Sequence, residues 1–169
     1  MTSRSGTGDA YHPWATYIHA REEARRRGDR RVGTEHLVLG LLRDPAVEAV
    51  LGAGLQPARE ALDALDREAL EALGIPAAID APPLPMRGAP PRPTLKAVLQ
   101  DRLPLTPAAK LALQEAGRPM RRGVHITPGQ VVEELLDLCP PDPGAVLLAA
   151  LGVDPVVARS RIVAPSTAA

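Results

Sequence analysis

Val32 to Leu42, VGTEHLVLGLL, can be laid on Ile126 to Leu136, ITPGQVVEELL, without a gap at a shift of 94 residues. Leu37, Val38, Leu41 and Leu42 in the first string, and Val131, Val132, Leu135 and Leu136 in the second, recur at helical spacing as one apolar stripe. Thr34 is expected as an N-cap, its hydroxyl accepting an orphan backbone N–H. Thr127 and Pro128 supply a cap and a first helical residue. An internal duplication accounts economically for both strings.

The signals around the first string predict three more helices. Trp14, Tyr17, Ile18, Arg21 and Ala24 mark an amphipathic helix from about Pro13 to Arg27, stopped at Gly28, with its opposite face charged. Val47, Val50 and Leu51 mark a short one ended by Gly52. Pro57 is expected to open a fourth, in which Ala58, Ala61, Leu62, Leu65, Ala69 and Leu73 line up before Gly74. The second half repeats this order. Thr106 caps and Pro107 starts a helix through Ala109 to Glu115, Val146, Leu147, Leu151 and Gly152 echo the short helix, and Asp154 with Pro155 starts a last one through Ala158 to Ile162. Between the halves, seven prolines fall between Gly74 and Pro93 and deny the backbone regular hydrogen bonding. The expected organisation is therefore a flexible N-terminus at 1–10, a first repeat at 11–73, a proline-rich linker at 74–93, a second and more degenerate repeat at 94–163, and a tail at 164–169.

Composition agrees with an all-α chain. Of 169 residues, 28 are alanine, the best helix former, while phenylalanine is absent and Tyr11, Trp14 and Tyr17 are the only aromatics besides histidine. Twenty basic and 20 acidic side chains cancel, which argues against a polycationic nucleic-acid coat. A single cysteine, Cys139, rules out an intramolecular disulfide framework and fits a reducing compartment. No secretory signal is visible, and the longest nearly unbroken apolar run, Gly144 to Val153, is far short of the ~20 residues of a membrane helix. A cytoplasmic location without a membrane partner is expected.

ARRRG at Ala24 to Gly28, followed by VGTEHLVLGLLR from Val32 to Arg43, resembles the N-terminal domain of Clp-type protein unfoldases. Leu105-Thr106-Pro107, Glu134 to Leu138, and GAVLLAALGVD from Gly144 to Asp154 extend the resemblance over the second half. It implies two tandem pseudo-symmetric helical-bundle repeats, a domain that in the family sits ahead of ATPase modules and captures substrates or adaptors. No G-x-x-x-x-G-K-[ST] phosphate loop is present, so ATP hydrolysis of that kind is not expected. Some relatives bind phosphorylated arginine through a carboxylate and a helix-opening threonine in each repeat. Here Glu35 matches the first carboxylate while the threonine position falls at or near Ala10; Thr106 matches the second threonine while Gly129 and Gln130 stand at the carboxylate and histidine positions. Each half keeps one part of that site and lacks the other.

The expected function is thus non-catalytic recognition of proteins or peptides, as adaptor or decoy in Clp-related quality control, with no cofactor. A Clp-type unfoldase, its substrates or adaptors, or a peptide or small-molecule ligand are the expected partners. The expected site is a groove between repeats around Thr34, Glu35, Thr106 and the helix start after Thr127, where capped helix ends present free N–H groups. Glu35 is nonetheless explained first as a complement to its helix dipole, and His36 still more as a packed, hydrogen-bonded side chain. His12 and His19 share a helix face but lack a third ligand at metal spacing, so no zinc site is expected. Cys139 reads as a small buried hydrophobe rather than a nucleophile. Arg21, Arg25, Arg26, Arg27, Arg30 and Arg31 would suit a DNA-binding regulator, the rival class, but Glu22, Glu23 and Asp29 are interleaved and read as ion-pair partners. Tyr11, Trp14 and Tyr17 are expected mainly as core.

Overall fold

The computed structural model describes residues 11, 13–75, 103–119 and 127–163. All of the regular structure among them is helical. Eight helices follow in order: α1 (Pro13–Arg27), α2 (Thr34–Leu41), α3 (Pro45–Leu51), α4 (Leu55–Ala72), α5 (Pro107–Ala116), α6 (Pro128–Leu136), α7 (Pro143–Ala150) and α8 (Pro155–Val163). His12, most of the proline-rich linker and the start of the expected second repeat lie outside the described residues.

The helix ends obey the local chemistry. Gly28, Gly52, Gly74 and Gly152 all have positive φ, the region open to glycine without strain, and each follows a helix. Thr106 accepts the Ala109 N–H at 3.3 Å, and the Gln130 side chain accepts the Thr127 N–H at 2.9 Å, closing the start of α6. Asp44 and Asp142 cap α3 and α7 with Pro45 and Pro143 following as first residues. Two expected starts shift. Gly33, not Thr34, is the N-cap of α2, because the Thr34 hydroxyl is engaged across the molecule; α4 begins at Leu55 rather than Pro57, its first N–H held by Glu48 Oε1 at 3.3 Å.

α2 is the centre of the molecule. All its residues except Glu35 are buried, and it packs on α1, α4, α5, α6 and α7, as expected of a helix apolar on nearly every side. Its crossing with α1 is close. A Cβ on Gly40 would stand 2.7 Å from the Ala20 backbone nitrogen, so only glycine admits this approach. One core runs through both halves, from Tyr17, Ala20 and Leu37 to Val131, Leu135 and Leu147. The segment 103–106 also joins them: Val32 N–H donates to Pro104 O and Thr106 N–H to Val32 O, each at 2.9 Å, and the Tyr17 hydroxyl donates to Leu103 O at 2.9 Å.

The α1 faces differ from expectation. Tyr17 is core, but Trp14 is 44% exposed and tilts its ring over Tyr17. Glu23, expected on the charged outer face, is 0% exposed, whereas Arg21, which falls in the apolar register read from the sequence, is buried with that face. Burial of Glu23 is possible because three arginines meet it there.

Candidate functional site

The N-terminus of α2 meets the N-terminus of α7. Thr34 Oγ1 donates to Asp142 Oδ1 at 2.7 Å and accepts the Gly144 N–H at 3.0 Å, while the same carboxylate oxygen accepts Gly144 N–H at 2.9 Å. The contact is shut tight, since a Cβ on Gly144 would lie 2.8 Å from Thr34 Cβ. Beside it the Glu35 carboxylate folds back over Gly33 rather than outward. Glu35 Oε1 lies 2.8 Å from His36 Nδ1, and Oε2 is buried without a hydrogen-bond partner among the described residues. His36 is buried, accepts the Gly33 N–H on Nδ1 at 3.1 Å and contacts Asp29 through Nε2 at 2.9 Å. Thr34 and His36 are thus held inside the fold, as Thr106 is held by its cap.

The N-termini of α6 and α3 face each other in the same way, yet this junction is open. Asp44 Oδ1 accepts the Ala46 N–H at 2.9 Å, as Asp142 does for α7, but the first residue of α6 is Pro128, which has no hydroxyl to bridge across. A cleft of about 680 Å³ results, within the range of small-ligand sites. Pro45, Ala46, Val47 and Val50 of α3, Val132 of α6 and Ile162 of α8 give it apolar walls; Thr127, Asp44 and Arg161 are its polar members. Of the four residues singled out from the sequence, Thr127 alone lines this cleft, and Thr34, Glu35 and Thr106 do not. Gly129, at the carboxylate position of the resemblance, also lines it; a Cβ there would stand 3.0 Å from Ile162 Cγ2, so α8 fills the space a longer side chain would need.

Arg161 was not singled out from the sequence, where it is one arginine among 18. Its Nη1 donates to Val50 O at 3.1 Å and Ala49 O at 3.4 Å, satisfying the last carbonyls of α3. The basic cluster on α1 behaves differently. Arg26 pairs with Glu23 and Arg27 with Asp29, Asp63 and Asp66, so much of its charge is neutralised within the fold.

Glu23 itself is the most heavily bonded carboxylate of the described residues. Arg59 reaches it in bidentate fashion, Nε to Oε2 at 2.9 Å and Nη2 to Oε1 at 2.7 Å; Arg43 adds bonds at 2.7 and 3.2 Å to Oε1, and Arg26 one at 3.2 Å to Oε2. Burial alone would push the carboxyl up, but the hydrogen bonds and charges of Arg59 and Arg43 outweigh it and hold its pKa at about 2. With its bonding capacity used, Glu23 is a clamp joining α1, the α2–α3 turn and α4. Cys139, expected to be buried, is exposed at the chain's turn toward Pro140, and His19 lines a smaller cavity of about 310 Å³ with Tyr11 and Pro128. Among the described residues no group of three or more His, Cys, Asp or Glu could hold a metal ion, and no helix is long and apolar enough to cross a membrane.

No family model matches the chain, and no curated protein matches it.

Proposed function

We propose that the chain is a non-catalytic protein- and peptide-recognition module of two related four-helix repeats, akin to the N-terminal domain of Clp unfoldases, serving as adaptor or decoy in protein quality control. The order of the helices supports the relation. The 94-residue offset read between the two strings also separates Pro107 from Pro13, the starts of α5 and α1, and Pro128 from Thr34, the starts of α6 and α2. Asp-Pro opens the third helix of each set, at Asp44 and Asp142. The observation that carries the recognition reading is the apolar cleft where the second helix of one half faces the third helix of the other. Concave apolar surface with a few polar groups is what binding sites are built from.

Adaptor and decoy make opposite predictions in a reconstituted degradation assay containing a Clp-type unfoldase, its peptidase and an unfolded client. Added chain raises the rate if it delivers clients and lowers it if it sequesters them. A rate unchanged at saturating chain refutes both. The DNA-binding alternative predicts salt-dependent retention on duplex DNA, about one counterion-release increment per phosphate contact; the ion pairs of Arg26 and Arg27 leave that reading weaker.

A further inference from the structure

We propose that the cleft between α3, α6 and α8 takes the C-terminal end of a polypeptide, with an aliphatic side chain against its walls and the terminal carboxylate on Arg161. The inference rests on the peptide-recognition reading and assigns the chemistry of its ligand. Its basis is charge. Arg26, Arg27, Arg43, Arg59 and Arg159 each hold a carboxylate, whereas Arg161 has no carboxylate within ion-pair distance among the described residues. Its Nη1 is held by the Ala49 and Val50 carbonyls, and no described group bonds Nε or Nη2. A guanidinium fixed by one nitrogen keeps its Nε–Nη2 edge, two parallel N–H groups at the spacing of a carboxylate's oxygens. The backbone therefore fixes one nitrogen of a guanidinium that lines this apolar cleft and, on its other side, a smaller cavity of about 200 Å³ with Asp154, which is not within ion-pair distance of it.

The charge count selects a monoanion. Among the described residues that line the cleft Arg161 is the only cation and Asp44 the only anion, so a dianion such as a phosphate monoester would go half neutralised. Asp44 sits at the opposite end of α3, about 9 Å along the helix from the Val50 carbonyl. That is near the screening length of physiological salt, so its repulsion of a carboxylate at Arg161 is small. Pro45, Val50, Val132 and Ile162 have no polar group with which to hold the rest of the ligand, which requires an apolar body.

The test titrates the full chain with a fluorescein-labelled hexapeptide ending in Leu-Leu with a free carboxylate, with the same peptide as its C-terminal amide, and with octanoate as competitor. The acid is expected to bind at least about tenfold more tightly than the amide, the scale of one hydrogen bond to a charged group. Arg161→Gln keeps an N–H for the α3 carbonyls and is expected to bind acid and amide alike, while Arg161→Lys retains part of the preference. Ala46→Trp, which narrows the cleft from a residue that does not bond the arginine, is expected to weaken both peptides. Equal affinity of the wild-type chain for acid and amide, or an acid preference that survives in Arg161→Gln, overturns the assignment. So does binding of octanoate without the peptide acid, which would make the ligand a free fatty acid. Peptides that bind equally as acid and amide leave the recognition reading standing; absence of all peptide binding, together with an unresponsive degradation assay, removes that reading too.

Discussion

Replacing Glu23 by Gln removes one charge from a site built around it and leaves its shape. The wild-type carboxyl has a pKa of about 2 in the fold against an ordinary value of 4.5. A depression of that size corresponds to about 3 kcal/mol of stability through proton linkage. Arg43 and Arg59 keep 29% and 21% of their side-chain surface exposed and regain some hydration when the carboxylate is lost, which brings the expected loss to about 1–3 kcal/mol near neutral pH. The pH dependence is the sharper part. Because the folded pKa is the lower one, the stabilisation is complete above the unfolded value and fades as pH falls from about 5 toward 2. Urea unfolding followed by circular dichroism, at several pH values across that window, should give a wild-type advantage over Glu23→Gln that is constant above about pH 5.5 and narrows below it. An advantage below about 0.5 kcal/mol at neutral pH, or one unchanged between about pH 5 and pH 3, would refute the reasoning.

Other substitutions probe the joins between helices. Gly40→Ala should destabilise by about 2–4 kcal/mol, as its Cβ would press on the Ala20 backbone, whereas Ala at exposed Gly28 strains only the local positive φ and costs about 1 kcal/mol, a difference readable by the same unfolding curves. Thr34→Val takes the hydroxyl donor from the buried side of Asp142 and leaves the Gly144 N–H to that carboxylate alone, for an expected loss of about 1–3 kcal/mol; a loss no larger than that of Thr106→Val, where only a helix cap goes, would contradict the bridging role. Cys139→Ser should leave stability within about 0.5 kcal/mol, and native Cys139 should react at once and completely with a thiol reagent of ordinary size.

The local chemistry of helix ends was legible in the sequence because it is written within a few residues. Gly28, Gly52, Gly74, Thr106-Pro107 and Asp154-Pro155 stand where such signals should, and α1 runs from Pro13 to Arg27 as periodicity predicts. What failed is what depends on distant partners. Glu23 looks like one charge on an outer face until Arg43 and Arg59, 20 and 36 residues away, close over it. Thr34 has the residue type of a cap, but a carboxylate 108 residues on takes its hydroxyl and leaves the cap to Gly33. The site shows the same division. Thr127 could be found as a helix start, while Arg161 carries no local signal; the contrast between Thr34 and Pro128, one closing its junction and one leaving it open, becomes meaningful only when the facing Asp-Pro turns are in place.

Titration of the isotopically labelled chain with an unfolded, disulfide-free model client, followed through backbone amide resonances, tests the central claim most directly. Recognition of polypeptide in the cleft predicts saturable shifts clustered at Ala46 to Val50, Gly129 to Val132 and Ile162, with the Arg25 to Arg31 ridge unmoved. Shifts absent at saturating client, or arising along Arg25 to Arg31 when duplex DNA is added instead, would contradict it.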